Sequence, residues 1–377
     1  MNRLNKALLQ ANIEKSAQYD FDKQKVFGSA YCVMQGEQIL YQNCFGTIVP
    51  GNGEPVTERT LFRLASMTKP ITAIAVLILV ERGLLSLSDK VCDYLPEFQN
   101  LSIRQRTDDG QWIDCGKAKT DITILHLLTH TSGIGGCPEK VEEMTAEDRE
   151  TIDNTIRFYV KAGLDFEPGT QAQYSATGAF DVLVKIVEKV TNIDFLSFLS
   201  REIFEPCQMP DTTFVPNGQQ WDRLIALHNR VDGQNVVVPT DKEHVFETYP
   251  CSHYLGGAGL ASTLHDYANF AKMLLNEGQA PQKQILRKET LQLMHTVYAP
   301  KTNKSEKWGL GVRLVVDEDY KTLPIGAYGW SGAYGGHFWV DPDNQVAAVF
   351  LKNSLIDGGA GNESAFNFEM AVNNSFE

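Results

Sequence analysis

Apolar and polar positions sort the chain into a strand-rich beginning, a helical middle and a strand-rich end. Asn2–Tyr19 mixes apolar and charged residues as a surface helix does. Val26–Met34 and Gln38–Phe45 are rich in β-branched and aromatic residues, and Gln35-Gly36-Glu37 between them predicts a hairpin. Asn52-Gly53-Glu54-Pro55 predicts a turn. From about 63 to 284 the pattern is mainly helical, with long loops. Ile71–Val80 is almost wholly apolar and predicts a buried helix. Ala179–Thr191 places Phe180, Leu183, Val184 and Val187 at i, i+3, i+4 and i+7, a buried stripe. Thr263–Glu277 opens on a capping-box-like Thr263-Leu-His-Asp266 and stops at Gly278. The polar, turn-rich segment Arg104–Thr120 predicts a surface insertion. Strand character returns in Trp308–Val316, Gly336–Val340 and Gln345–Lys352, with Asp341-Pro-Asp-Asn344 as a turn, and Phe366–Asn374 predicts a closing helix. This order predicts an α/β (α+β) protein. One sheet is built from 1–62 and 285–377, a mainly helical domain over 63–284 is inserted, and the site lies at their junction.

Composition narrows the function classes. The chain has 377 residues, 43% hydrophobic and 21% charged, as in an ordinary globular protein with ample core. A formal charge of −13 argues against nucleic acid or an anionic membrane as partner. Residues 1–20 lack an apolar h-region, and Ile71–Val80 is too short to span a bilayer. Seven cysteines without a Cys-x-x-Cys pair predict reduced thiols and, with no secretory signal, a cytoplasmic setting.

The candidate chemistry is concentrated where the buried helix begins. In Leu64-Ala-Ser-Met-Thr-Lys-Pro70, Ser66 and Lys69 are three apart and share a face of the first turn. A free backbone N–H and the positive end of the helix dipole lie beside the hydroxyl. Desolvation disfavours an ammonium, which makes a buried amine a usable base for a serine. The blander reading is an N-cap serine and a solvated lysine. Two facts weigh against it: no other serine here has lysine at that spacing, and a wholly apolar helix follows. Tyr174, in Gln-Tyr174-Ser-Ala-Thr-Gly178, is the candidate third proton-handling group, against the commoner role of a packing tyrosine. Gly329-Trp-Ser-Gly-Ala-Tyr-Gly-Gly336 lets a substrate approach the backbone closely, and the N–H of Ala333 with that of Ser66 would bind an oxyanion. Its plainer reading is a tight turn without a ligand.

Ser66-Met-Thr-Lys69, Tyr174-Ser-Ala176 and Trp330-Ser-Gly332, in this order, resemble the three boxes of the serine β-lactamase-like superfamily. More narrowly they are similar to those of class C β-lactamases and family VIII carboxylesterases. Leu127-Leu-Thr-His-Thr-Ser-Gly133 and Gly256-Gly-Ala-Gly-Leu-Ala-Ser-Thr263 look like recurrent scaffold segments of the same family, so the likeness runs from about residue 25 to the C-terminus. The resemblance implies a β-lactamase/transpeptidase-like fold, with an antiparallel sheet flanked by helices from both chain ends. It implies Ser66 as nucleophile, Lys69 as its base partner and Tyr174 as proton relay, with the N–H groups of Ser66 and Ala333 as oxyanion hole. Ala176, Trp330, Ser331 and Gly332 would face the substrate, a small-molecule ester or amide. No metal or organic cofactor is implied.

Two positions depart from that pattern. The second box usually ends in Asn, which helps hold an acylamino side chain; here it is Ala176. The third usually begins with Lys or His, facing a substrate carboxylate; here it is Trp330, as in the family VIII esterases. Losing a hydrogen bond to a charged group costs roughly 1.5–3 kcal/mol, tenfold to a hundredfold or more in affinity. Ester cleavage is therefore the expected reaction, ahead of a β-lactamase or D-Ala-type peptidase, an acyltransferase, or a non-catalytic binding protein on the same fold.

Other signals are weaker. His126 and His130 are four apart but lack the glutamate of a His-Glu-x-x-His zinc site, so capping or core packing is expected. The nucleophile elbow Gly-x-Ser-x-Gly is absent. Gly256-Gly-Ala-Gly259 reads as a loop, and the acidic run Glu139–Glu150 as a solvated helix face.

Overall fold

A computed structural model describes residues 2–51, 53–239, 244–246, 252–298 and 306–377. Its frame is a seven-stranded antiparallel sheet made from both ends of the chain. The strands are β1 (Gly28–Gln35), β2 (Gln38–Gly46), β3 (Glu306–Trp308), β4 (Arg313–Val315), β5 (Tyr328–Ser331), β6 (His337–Asp341) and β7 (Val346–Leu351), in the spatial order β2-β1-β7-β6-β5-β4-β3. Helices and antiparallel sheet are mixed along the chain, the α/β (α+β) architecture that the order of apolar patterns predicts.

Strand alternation gives the sheet two buried faces. Tyr31, Val33, Trp339 and Phe350 point to one side, against α1 (Lys6–Asp22) and α5 (Glu363–Asn373), whose Phe368 ring meets that of Trp339 at 5.1 Å. Ala30, Cys32, Phe338 and Val349 point to the other side, where Tyr267 and Phe270 of α4 (Leu264–Leu275) pack on Phe338. In the middle region α2 (Thr68–Glu81) and α3 (Gly178–Thr191) pack on each other and belong to the same hydrophobic core. Every residue of α2 from Thr68 to Leu79 is buried, as its unbroken apolar run requires.

Local chemistry explains where the observed elements depart from the sequence pattern. The first helix starts at Lys6 rather than Asn2, because Asn5 caps it by accepting the Leu8 N–H and Leu4 bridges to Phe376. Trp308–Val316 is broken into β3 and β4, since Gly311 takes φ +69° and the Gly309 N–H closes a turn on the Val312 carbonyl. Arg104–Thr120 lies largely within an exposed hairpin, Ser102–Arg106 with Trp112–Lys117. The glycine-rich stretch read as a turn begins as β5, so Trp330 and Ser331 stand on a strand. Thr263 caps α4 as its spacing predicts, accepting the Asp266 N–H at 3.2 Å. Asn52, in the predicted turn before the Ser66 segment, lies outside the described residues. Six cysteines (32, 44, 92, 115, 137 and 207) are free thiols, and no described helix is long and apolar enough to cross a membrane.

Candidate active site

Ser66 occupies a single turn of 3-10 helix, Ala65–Met67, that runs directly into α2. Pro70 is the third residue of α2, where an N–H would have no helical acceptor, so its missing donor costs nothing there. Ala65 has φ +46°, a left-handed conformation that costs a non-glycine residue about 1–3 kcal/mol unless its surroundings impose it. They do. Leu64 N–H bonds the Leu260 carbonyl at 2.9 Å, Tyr267 Oη donates to the Met67 carbonyl at 2.8 Å, and Asn353 brackets the Arg63 backbone with two bonds. The Ser66 turn is thus tied to α4 and to the end of β7.

Lys69 is completely buried one turn further on. Its Nζ donates to the carbonyls of Ala176 (2.6 Å) and Gly257 (2.9 Å) and lies 3.4 Å from Ser66 Oγ. Two carbonyls therefore fix two N–H directions and turn the remaining tetrahedral position of the nitrogen toward the serine. The faces of Tyr174 and Phe180 cover the amine, with ring centroids 4.8 and 5.2 Å from Nζ. Tyr174 Oη is 2.6 Å from Ser66 Oγ, a short bond in which either oxygen can donate. The serine hydroxyl thus touches a phenol and an amine at once, an arrangement able to strip its proton and return one to a leaving group.

The third box faces this triangle. Trp330 lies 6.0 Å from Tyr174 between ring centroids, and a Cβ on Gly332 would come within 2.4 Å of the Leu64 carbonyl, so only glycine fits there. The Gly332 carbonyl accepts N–H bonds from Gly335 (2.9 Å) and Gly359 (3.2 Å). In a trans peptide the next N–H points the opposite way, which turns Ala333 N–H from the Gly359 loop. Among the described residues neither Ser66 N–H nor Ala333 N–H has an acceptor, as two oxyanion donors require. Ala176 is exposed and meets Lys69 through its carbonyl. Ser331 turns its hydroxyl to the α5 side of the sheet, where Oγ lies 2.8 Å from His337 Nδ1 and His337 Nε2 lies 2.8 Å from Glu369 Oε1.

Several contributors carry no side-chain signal in the sequence. Gly257 gives Lys69 a carbonyl, and Gly256 holds α2 through Thr72 Oγ1 at 2.7 Å. Asp181 accepts the Gly256 N–H; burial pushes its carboxyl well above the usual range, outweighing that bond and the Lys69 charge. His130, one of the two weak histidine candidates, is buried among Tyr174, Trp308, Phe180 and Trp330. Burial and the Lys69 charge both push its imidazole well below the ordinary range. His126 instead belongs to a capping box with Thr123. Among the described residues no three or more His, Cys, Asp or Glu side chains cluster so as to hold a metal.

Comparison with known proteins agrees with this architecture. The chain is 30% identical to Esterase EstB of Burkholderia gladioli, over 95% of this chain and 94% of that protein. It superposes on EstCE1, a hydrolase with promiscuous acyltransferase activity, with TM-score 0.81 and 22% identity, covering 98% of this chain and 99% of that one. Unliganded simvastatin synthase (LovD) from Aspergillus terreus is similar at TM-score 0.80 and 20% identity, over 97% of this chain and 98% of that one. A family model described as Beta-lactamase matches residues 9–366, and the chain belongs to the Beta-lactamase family.

Proposed function

We propose that the protein is a serine carboxylesterase acting by ping-pong acyl transfer. Ser66 Oγ attacks the carbonyl carbon of a small-molecule ester, and its proton passes to the Tyr174–Lys69 pair. The oxyanion is met by the N–H groups of Ser66 and Ala333. As the C–O bond breaks, Tyr174 returns a proton to the departing alkoxide, leaving Ser66 acylated. Water then attacks the acyl carbon, gives its proton to the same pair and releases the acid while Ser66 regains its hydroxyl.

The observation that carries this reading is the Ser66 hydroxyl held 2.6 Å from the Tyr174 phenol and 3.4 Å from the Lys69 amine. Preference for esters over lactams rests on Trp330, an uncharged ring where a carboxylate-bearing substrate would want a cation, and on Ala176, which has no amide to offer. The 30% identity to an esterase supports the same choice. The test is a hydrolysis panel of short-chain nitrophenyl esters, nitrocefin and D-alanyl amides, run on wild type and Ser66→Ala. Esters turned over well ahead of the others, with activity lost in the variant, is the expected outcome. Faster nitrocefin turnover would move the reading to a lactamase, and equal activity in Ser66→Ala would end it.

A further inference from the structure

Tyr174 sits in a loop between Glu167-Pro-Gly169 and α3, so no helix or strand fixes its backbone. Both residues that flank it are nevertheless anchored, and on the same partner. Gln173 N–H donates to the His130 carbonyl at 2.9 Å, and Ser175 N–H donates to His130 Nδ1 at 3.1 Å. The imidazole also lies against the phenol, with centroids 4.9 Å apart, and is itself held by Trp308 at 4.9 Å and Trp330 at 5.8 Å. Because Nδ1 accepts, the ring proton belongs on Nε2. His130 has φ +57°, a left-handed backbone that histidine tolerates better than most residues and that lets its carbonyl and its ring grip one segment together.

We infer that His130 is a positioning residue for acyl transfer: it clamps the backbone N–H groups of the residues on either side of Tyr174 and so holds the phenol oxygen on the Ser66 hydroxyl. The inference rests on the reading of Ser66 as nucleophile and Tyr174 as its proton relay. A clamp of this kind acts on the chemical step. Displacing a catalytic group by about 1 Å costs on the order of a hundredfold in rate, while substrate contacts made elsewhere are untouched. His130 takes no proton itself. Its contribution is an acceptor at Nδ1, a carbonyl and a ring face.

A double-mutant cycle with p-nitrophenyl butyrate as substrate tests this, with kcat taken per folded molecule by circular dichroism. His130→Phe keeps a ring but removes the acceptor, and should lower kcat about 10- to 100-fold with KM within about threefold. In a Tyr174→Phe background the same substitution should cost little more, because the group being aimed is gone. His130→Asn restores an acceptor and accepts a left-handed backbone, and should recover most of the loss. If the phenylalanine protein does not fold, the cycle is run with His130→Ala. Equal losses in both backgrounds, or an asparagine protein no better than the other variants, would overturn the clamp. If Tyr174→Phe alone leaves kcat unchanged, it is the relay assignment beneath the clamp that fails.

Discussion

Gly257→Ala is a one-methyl change next to the Lys69 amine on which proton transfer from Ser66 is proposed to depend. A Cβ there would stand 2.7 Å from the Ala176 carbonyl oxygen and 3.2 Å from Lys69 Nζ. An ordinary carbon–oxygen contact is about 3.3 Å, so the carbonyl must retreat by roughly 0.6 Å, and being backbone it has no rotamer in which to do so. That oxygen is the closest acceptor of Lys69, at 2.6 Å, so its retreat breaks the bond or drags the amine with it. The amine is already 3.4 Å from Ser66 Oγ, the far limit of a hydrogen bond, and cannot follow without losing its aim. A lost hydrogen bond to a charged group is worth about 1.5–3 kcal/mol, or roughly 10- to 150-fold in kcat/KM. Overpacking itself costs about 1–3 kcal/mol, which in a domain this large lowers Tm by several degrees at most. Steady-state ester hydrolysis and a thermal melt on the same preparation separate the two effects. Activity within twofold of wild type would refute the claim that the Ala176 and Gly257 carbonyls set the amine's position.

Other outcomes follow from groups away from the serine. Asp20 is fully buried, and desolvation pushes its carboxyl up to about 6 against the opposing pull of Lys352. A raised acid stabilises the fold only while it stays protonated, so its contribution is complete below about pH 4 and is lost as pH rises through about 6. Asp20→Asn should therefore stabilise the protein by about 3 kcal/mol at pH 8 and by almost nothing at pH 4, read from denaturant midpoints; an equal effect at both would contradict the shift. Burial alone would raise Glu369, but the His337 hydrogen bond, the His337 and Arg313 charges and Thr322 hold it below the ordinary carboxylate range. It contributes stability above that range and loses it on acidification. Glu369→Gln should lower stability by about 3 kcal/mol while leaving kcat per folded molecule within twofold. A fall in kcat at unchanged Tm would instead carry the Ser331–His337–Glu369 chain into catalysis.

What the sequence discloses and what it hides divide along a physical line. Alternation and helical periodicity gave the hairpin, α2, α3, α4 and the last two strands to within a few residues, since burial on a known face dictates those patterns. The segment Trp308–Val316 reads as one strand in the sequence, because apolar content does not register the two glycines that fold it back on itself. The same weakness hid β5: glycines at 329 and 332 read as a turn, although Gly329 is flat strand backbone under the Phe338 carbonyl. In the site, Ser66, Lys69, Tyr174 and Trp330 stand out as side chains of the right kind at telling spacings. The carbonyls that aim Lys69 belong to Ala176 and Gly257, and a backbone oxygen is the same for every residue, so no spacing could reveal them. The sequence points to capping or core packing for His130, and its ring does pack. Its hold on residues 173 and 175 becomes visible only when two loops 45 residues apart in sequence are brought together.

The acyl-enzyme is the claim on which the rest depends, and it can be weighed directly. Wild-type protein is mixed with excess p-nitrophenyl butyrate, quenched in acid within milliseconds to seconds, and examined by intact-protein and peptide mass spectrometry. The expected result is a transient gain of one butyryl group, located on Ser66, in step with a burst of nitrophenol and absent from Ser66→Ala. Ester turnover that proceeds with no mass gain at any quench time, or with the acyl group on another residue, would contradict it.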